Sequence, residues 1–131
     1  MILVVDTHAL VWYAEDSPRL GSTARRLLLN PDVRFTVPTI VLAEARSLEE
    51  SGRTKVSWDD ILSALEADPR FEVYPLTLDV LRRMPRKQGL EMHDGIVCAT
   101  AVLVAESTSE DVQVITKDRA IAASGLVETV W

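Results

Sequence analysis

The feature that most constrains this chain is the uninterrupted apolar run Ile2-Leu3-Val4-Val5, which stops abruptly at Asp6. Four branched aliphatics without polar alternation fit a strand covered on both faces, the environment of a parallel sheet packed between helices. Open sheets of this kind collect their ligands at the carboxyl ends of the strands. Asp6 is therefore a candidate site residue from the outset.

The rest of the chain alternates helical and extended patterns almost without pause. The spacing predicts helices over 8–15, 22–29, 39–50, 57–67 (with Ser57 as N-cap), from Thr77 to near Pro85, over 95–106 and over 120–123. It predicts further strands over 34–37, 71–74, 112–116 and 127–130, with Pro and Gly punctuating the turns between elements. Repeated strand-helix alternation with short, right-handed connections leaves few solutions. The expected fold is α/β, a three-layer α/β/α sandwich with a central, mostly parallel sheet of about five strands.

Composition sets the outer limits. The 131 residues suit one domain spanning the chain, and 47% apolar residues supply one substantial core. Fourteen Lys and Arg against 20 Asp and Glu give a net charge of −6, which excludes a protein that coats nucleic acid through bulk positive charge. Cys98 is the only cysteine, so no intrachain disulfide exists, and its place in an apolar helical run fits small core filler. The amino-terminal run is too short for a signal peptide core, and no stretch approaches membrane-spanning length; a soluble cytoplasmic protein is expected.

Four acids stand out against this framework. Asp6 and Asp118 each follow an apolar strand and precede a helix, a position that serves equally an N-cap or a site at the sheet rim. Asp94 shares a helical stripe with Val97, Cys98 and Ala101, and Glu44 shares one with Ile40, Val41 and Leu48, so both carboxylates are turned inward. An inward carboxylate without a partner costs several kcal/mol. Two carboxylates about 4 Å apart repel by roughly 4 kcal/mol at an effective dielectric of 20, and a bound cation relieves that repulsion. Oxygen donors without a Cys or His cluster make a hard site that favours Mg2+ or Mn2+.

The blocks Val-Val-Asp6-Thr7-His-Ala, the inward Glu44, His93-Asp94-Gly-Ile-Val-Cys-Ala-Thr-Ala and Ile-Thr116-Lys-Asp118 resemble the PIN domain, in particular the short VapC-type toxin ribonucleases of prokaryotic toxin–antitoxin pairs. The likeness follows length and element order along the whole chain. It departs after Asp118, where Arg119, Ala120 and Ile121 stand at positions that often carry a further acid, leaving open a one- or two-metal site. The resemblance implies a metal-dependent endoribonuclease in which Asp6, Glu44, Asp94 and Asp118 hold Mg2+ or Mn2+. It implies hydroxyls of Thr7 and Thr116 that orient ligands or water, a homodimer, and an antitoxin partner that blocks the acidic site.

Other residues carry weaker signals. Lys117 and Arg119 flank Asp118 and suit either a phosphate or neighbouring acids; Arg82, Arg83, Arg86 and Lys87 form the densest basic patch, which reads as a solvated helix face or as an RNA-backbone contact. His8 and His93 adjoin key acids and fit local hydrogen bonding better than metal ligation. Trp12, Tyr13, Trp58 and Trp131 fit core or interface better than base stacking. Three other readings compete: an inactive PIN-fold scaffold, a haloacid dehalogenase-type phosphatase, and a receiver-like module. The phosphatase lacks its second Asp, because position 8 is His. The receiver lacks a phosphoacceptor Asp where Val37-Pro38 ends the second strand.

Overall fold

In the computed structural model, which describes every residue except Lys87 and Gln88, Ile2–Val5 forms β1 and is buried at each position, as its unbroken apolar run requires. The other strands are β2 (Arg34–Pro38), β3 (Phe71–Tyr74), β4 (Val112–Ile115) and β5 (Glu128–Val130). They form one sheet in the order β3-β2-β1-β4-β5, with every pairing parallel. The expected mostly parallel sheet is thus wholly parallel.

The helices among the described residues are α1 (Thr7–Ala14), α2 (Ser22–Leu28), α3 (Thr39–Glu50), α4 (Trp58–Ala67), α5 (Leu78–Arg82), α6 (Met92–Glu106) and α7 (Arg119–Ser124). The chain moves from β1 outward through β2 to β3, then crosses back to β4 and on to β5. Right-handed crossovers place α1 to α4 on one face and α5 to α7 on the other. The direction of travel therefore reverses between β1 and β4, and a crevice opens at their carboxyl ends.

Local chemistry explains most boundaries. Ser57 caps α4 by accepting from the Asp60 amide, with Asp59 and Asp60 in the favourable first turn, and Thr77 caps α5 through the Val80 amide. The expected start of α6 at Gly95 is corrected to Met92. Asp94 lies in the first turn, where the exposed amides favour a negative charge, and Gly95 packs under Met84 and Pro85 instead of breaking the helix.

The core lies between β1, β2 and β4 and the helices, with Leu3, Val4, Val5, Val37 and Val114 fully enclosed. Trp12 belongs to it, and Tyr13, Trp58 and Trp131 pack against it. Among the described residues no helix is long and apolar enough to cross a membrane.

Candidate active site

The register that pairs Val5 with Ile115 brings the next residues, Asp6 and Thr116, side by side at the crevice. Asp6 is 8% exposed. Its Oδ1 accepts from the Thr7 amide at 2.8 Å, and its Oδ2 accepts from the Thr116 hydroxyl at 2.5 Å. The Thr116 oxygen in turn accepts from the Asp118 amide at 2.9 Å, so one hydroxyl ties the end of β1 to the turn after β4. Asp118 Oδ1 accepts from the amides of Ala120 and Ile121 at 2.7 and 3.1 Å. Both acids are N-caps. Yet each carboxylate oxygen has two lone pairs, and Asp118 Oδ2 has no part in the cap, so capping leaves acceptor capacity on two residues that line the crevice. Cap and site are compatible roles.

Glu44 and Asp94 reach the same place from α3 and α6. Together with Asp6, Asp118, Thr7, His8 and Lys117, they line a cavity of about 300 Å³. The Glu44 side chain is 30% exposed, and His93 Nδ1 stands 3.7 Å from its Oε2. Partial burial raises the Glu44 pKa, as does Asp6, against the opposing influence of His93. The Thr7 hydroxyl is buried and closes no hydrogen bond of full geometry, though it lies near enough to Glu44 to favour the ionised carboxylate.

Asp94 shows the crowding most clearly. Loss of solvent, and then the charges of Asp118, Asp6, Glu91 and Glu44, push its carboxyl up from 3.8 to about 6. Folding therefore favours the protonated acid. The contribution is fully present below the ordinary value of 3.8 and is lost as pH rises through about 6. A shift of this size is worth up to about 3 kcal/mol, and about 1–2 kcal/mol after allowance for the solvent around a partly exposed group. Asp94→Asn is expected to exceed the wild type in stability by that smaller amount at pH 8 in chelator, and to match it below pH 4. Urea unfolding across this range checks the expectation; equal stability at pH 8 would refute it.

The carboxylates are hard donors, and their mutual charge is what a divalent cation relieves, so the residues fit Mg2+ or Mn2+. Among the described residues no three His, Cys, Asp or Glu side chains close into a formed cation cage; the acids line the cavity wall instead of meeting at one point. Mg2+ keeps several waters of its own and is bound through one or two carboxylates, so a site for it does not require all four acids to close on one point.

The remaining expected residues separate into two groups. Thr7, Thr116 and Lys117 are at the site. Arg86 is exposed and does not line the cavity, while Arg82 pairs with Asp79 and Arg83 with Glu106, so these two arginines belong to a solvated helix surface. Lys87, assigned to the same patch, lies outside the described residues. Cys98 is buried, its thiol pushed up to about 11 first by burial and then by Asp94, as inert filler requires. Sequence reasoning missed Glu91, which joins the cavity wall just before α6. A helix begun at Met92 would have revealed it, since Glu91 and Asp94 then fall three residues apart at one helix end.

A family model described as PIN domain matches residues 3–125. The chain belongs to the PIN domain family. Solved structures with the same fold include a toxin-antitoxin complex from Klebsiella pneumoniae (TM-score 0.65, 18% identity, 98% of this chain and 96% of that one). VapBC-1 from nontypeable Haemophilus influenzae is similar at TM-score 0.64 and 18% identity, covering 99% and 97% of the two chains. FitAcB from Neisseria gonorrhoeae gives 0.59 and 21%, covering 100% and 97%. No curated protein matches the chain. The fold built on this wholly parallel sheet is thus that of a PIN domain.

Proposed function

We propose that this PIN domain is a divalent-metal-dependent endoribonuclease acting as the toxin of a toxin–antitoxin pair. The observation that carries the reading is that Asp6, Glu44, Asp94 and Asp118, from four separated segments, line one cavity at the point where the sheet reverses direction. PIN nucleases generally use divalent metals, and the structural neighbours come from toxin-antitoxin complexes, which supports both the chemistry and an antitoxin partner for this chain.

The four acids would hold one or two Mg2+ or Mn2+ ions. When bound, such a cation acidifies an attacking water and neutralises charge on the phosphoryl and leaving oxygens. The protein's own contribution is placement. Two hydrogen bonds lock the Asp6 carboxylate, and the Thr116 hydroxyl fixes Asp6 and the Asp118 backbone as a unit. Glu44 and Asp94 face them from the helices, and Lys117 at the cavity wall can meet a substrate phosphate. The products would be a 5′ phosphate and a free 3′ hydroxyl.

Thr116→Val removes the bridging hydroxyl while keeping the shape. It is expected to weaken manganese binding about 10-fold, the usual cost of losing a group that orients a ligand. Isothermal titration reads this directly, and an unchanged affinity would show the bridge to be structural only. The nuclease reading itself is tested by incubating the purified protein with a mixed RNA pool in manganese and in chelator. Cleavage in manganese alone supports it; cleavage that persists in chelator, or none in either, supports a different chemistry or an inactive scaffold.

A further inference from the structure

We propose that a cationic cleft beside the acid cavity, walled by Arg19, Arg53 and Lys117, holds backbone phosphates of single-stranded RNA on one side of the bond to be cut. The proposal rests on the ribonuclease reading and names where its substrate lies. The cleft, of about 390 Å³, shares Thr7, His8, Glu44 and Lys117 with the acid cavity, so the two are continuous. Its volume suits one nucleotide at a time rather than a duplex.

Pairing and position together set these three cations apart. Arg25, Arg34, Arg46, Arg70, Arg82 and Arg83 each pair with an acid. Of the cations that form no ion pair among the described residues, Arg19, Arg53 and Lys117 come from three separate loops and line one cleft, whereas Arg26, Lys55, Arg86 and Arg119 do not line it. Glu15 and Glu44 also stand on this wall, Glu15 accepting from the Thr54 hydroxyl at 2.6 Å, so three cations face two acids. In a chain of net charge −6, cations left open together form a local positive track that a phosphate backbone would neutralise.

Two of them are also held in place. Lys117 Nζ lies 4.5 Å and Arg19 Cζ 5.8 Å from the centroid of the Trp12 ring, which is only 9% exposed. The buried indole is thus a floor on which both cations rest through cation–π attraction, not a platform for a base. Contacts of this kind position a strand without reading its sequence.

The test uses the full chain in an Asp94→Asn background, so that RNA is not consumed, and a fluorescein-labelled single-stranded RNA of about ten nucleotides. Anisotropy should show Arg19→Ala with Arg53→Ala weakening binding by on the order of 10-fold and flattening the log K against log salt slope by about 1.4, or about 0.7 for each phosphate no longer neutralised. The corresponding double Lys variant should keep the slope, and manganese affinity should not change in either. Both arginines are exposed, so the fold should tolerate their replacement. An unchanged affinity and slope overturns the cleft, while wild-type cleavage assayed alongside leaves the nuclease reading standing. Failure of the parent to bind RNA overturns the cleft, and loss of wild-type cleavage as well overturns the nuclease. Binding of poly-glutamate of matched charge with RNA ignored assigns the cleft to a protein ligand and overturns the proposal.

Discussion

Asp94→Asn is expected to lower RNA cleavage on the order of 10³-fold, about 4 kcal/mol of barrier, the scale of losing one preorganised electrostatic group. Asparagine has nearly the shape of aspartate, and Val97, Cys98 and Ala101 on the same stripe remain buried, so the helix should stay in place. What disappears is one negative charge facing Asp6, Glu44, Glu91 and Asp118. The same substitution removes the desolvated charge and, with it, the repulsion from the neighbouring acids that together raise the Asp94 pKa, so the protein should lose activity while its chelated form gains stability at pH 8. Initial rates on a labelled RNA in manganese, read beside circular dichroism, check both halves. A fall of less than about threefold would place Asp94 outside the chemistry.

The largest loss of stability is expected at the other end of the sheet. Phe35→Ala should destabilise the fold by about 3–5 kcal/mol, the range for deleting a buried aromatic ring. Phe35 is 1% exposed and stacks on its strand partner Phe71 with ring centroids 4.6 Å apart. The Arg70 guanidinium covers both rings at 5.4 and 5.6 Å. Arg70 also pairs with Asp68 at 2.7 Å and donates to the carbonyls of Leu28 and Asn30, joining α2 to the entrance of β3. Asp68 is held below the usual carboxylate range by this Arg70 hydrogen bond. Removing the ring leaves a cavity beneath the cluster. Because Phe35 lies near the amino end of β2, the variant should keep its manganese affinity at temperatures where it remains folded. Denaturant unfolding measures the loss, and a change below about 1 kcal/mol would show that the cluster relaxes to fill the space.

Where one residue type decides a boundary, the sequence was readable. The run Ile2 to Val5 is the central strand, Thr39–Glu50 is a helix at both expected ends, and Ser57 caps α4. The inward turn of Glu44 and Asp94 was also legible, because a carboxylate among apolar stripe mates must face either the core or a site. Asp6 and Asp118 were not decidable from spacing. Cap and site use different acceptor positions on the same carboxylate, and only the hydrogen bonds separate them. Gly95 misled because a glycine within a helix looks like its start until the close approach of Met84 is seen. The convergence of Arg19 and Arg53 depends on three loops meeting around Trp12, which no local pattern encodes.

Manganese titration of the wild type beside Asp6→Asn, Glu44→Gln, Asp94→Asn and Asp118→Asn puts the shared-cation account to its most direct test. Each single variant should bind the ion at least about 10-fold more weakly, and the combined loss in a pair such as Glu44→Gln with Asp94→Asn should fall short of the sum, because the four acids serve one centre. Wild-type protein that takes up no manganese, or variants that bind as tightly as the parent, would contradict the account.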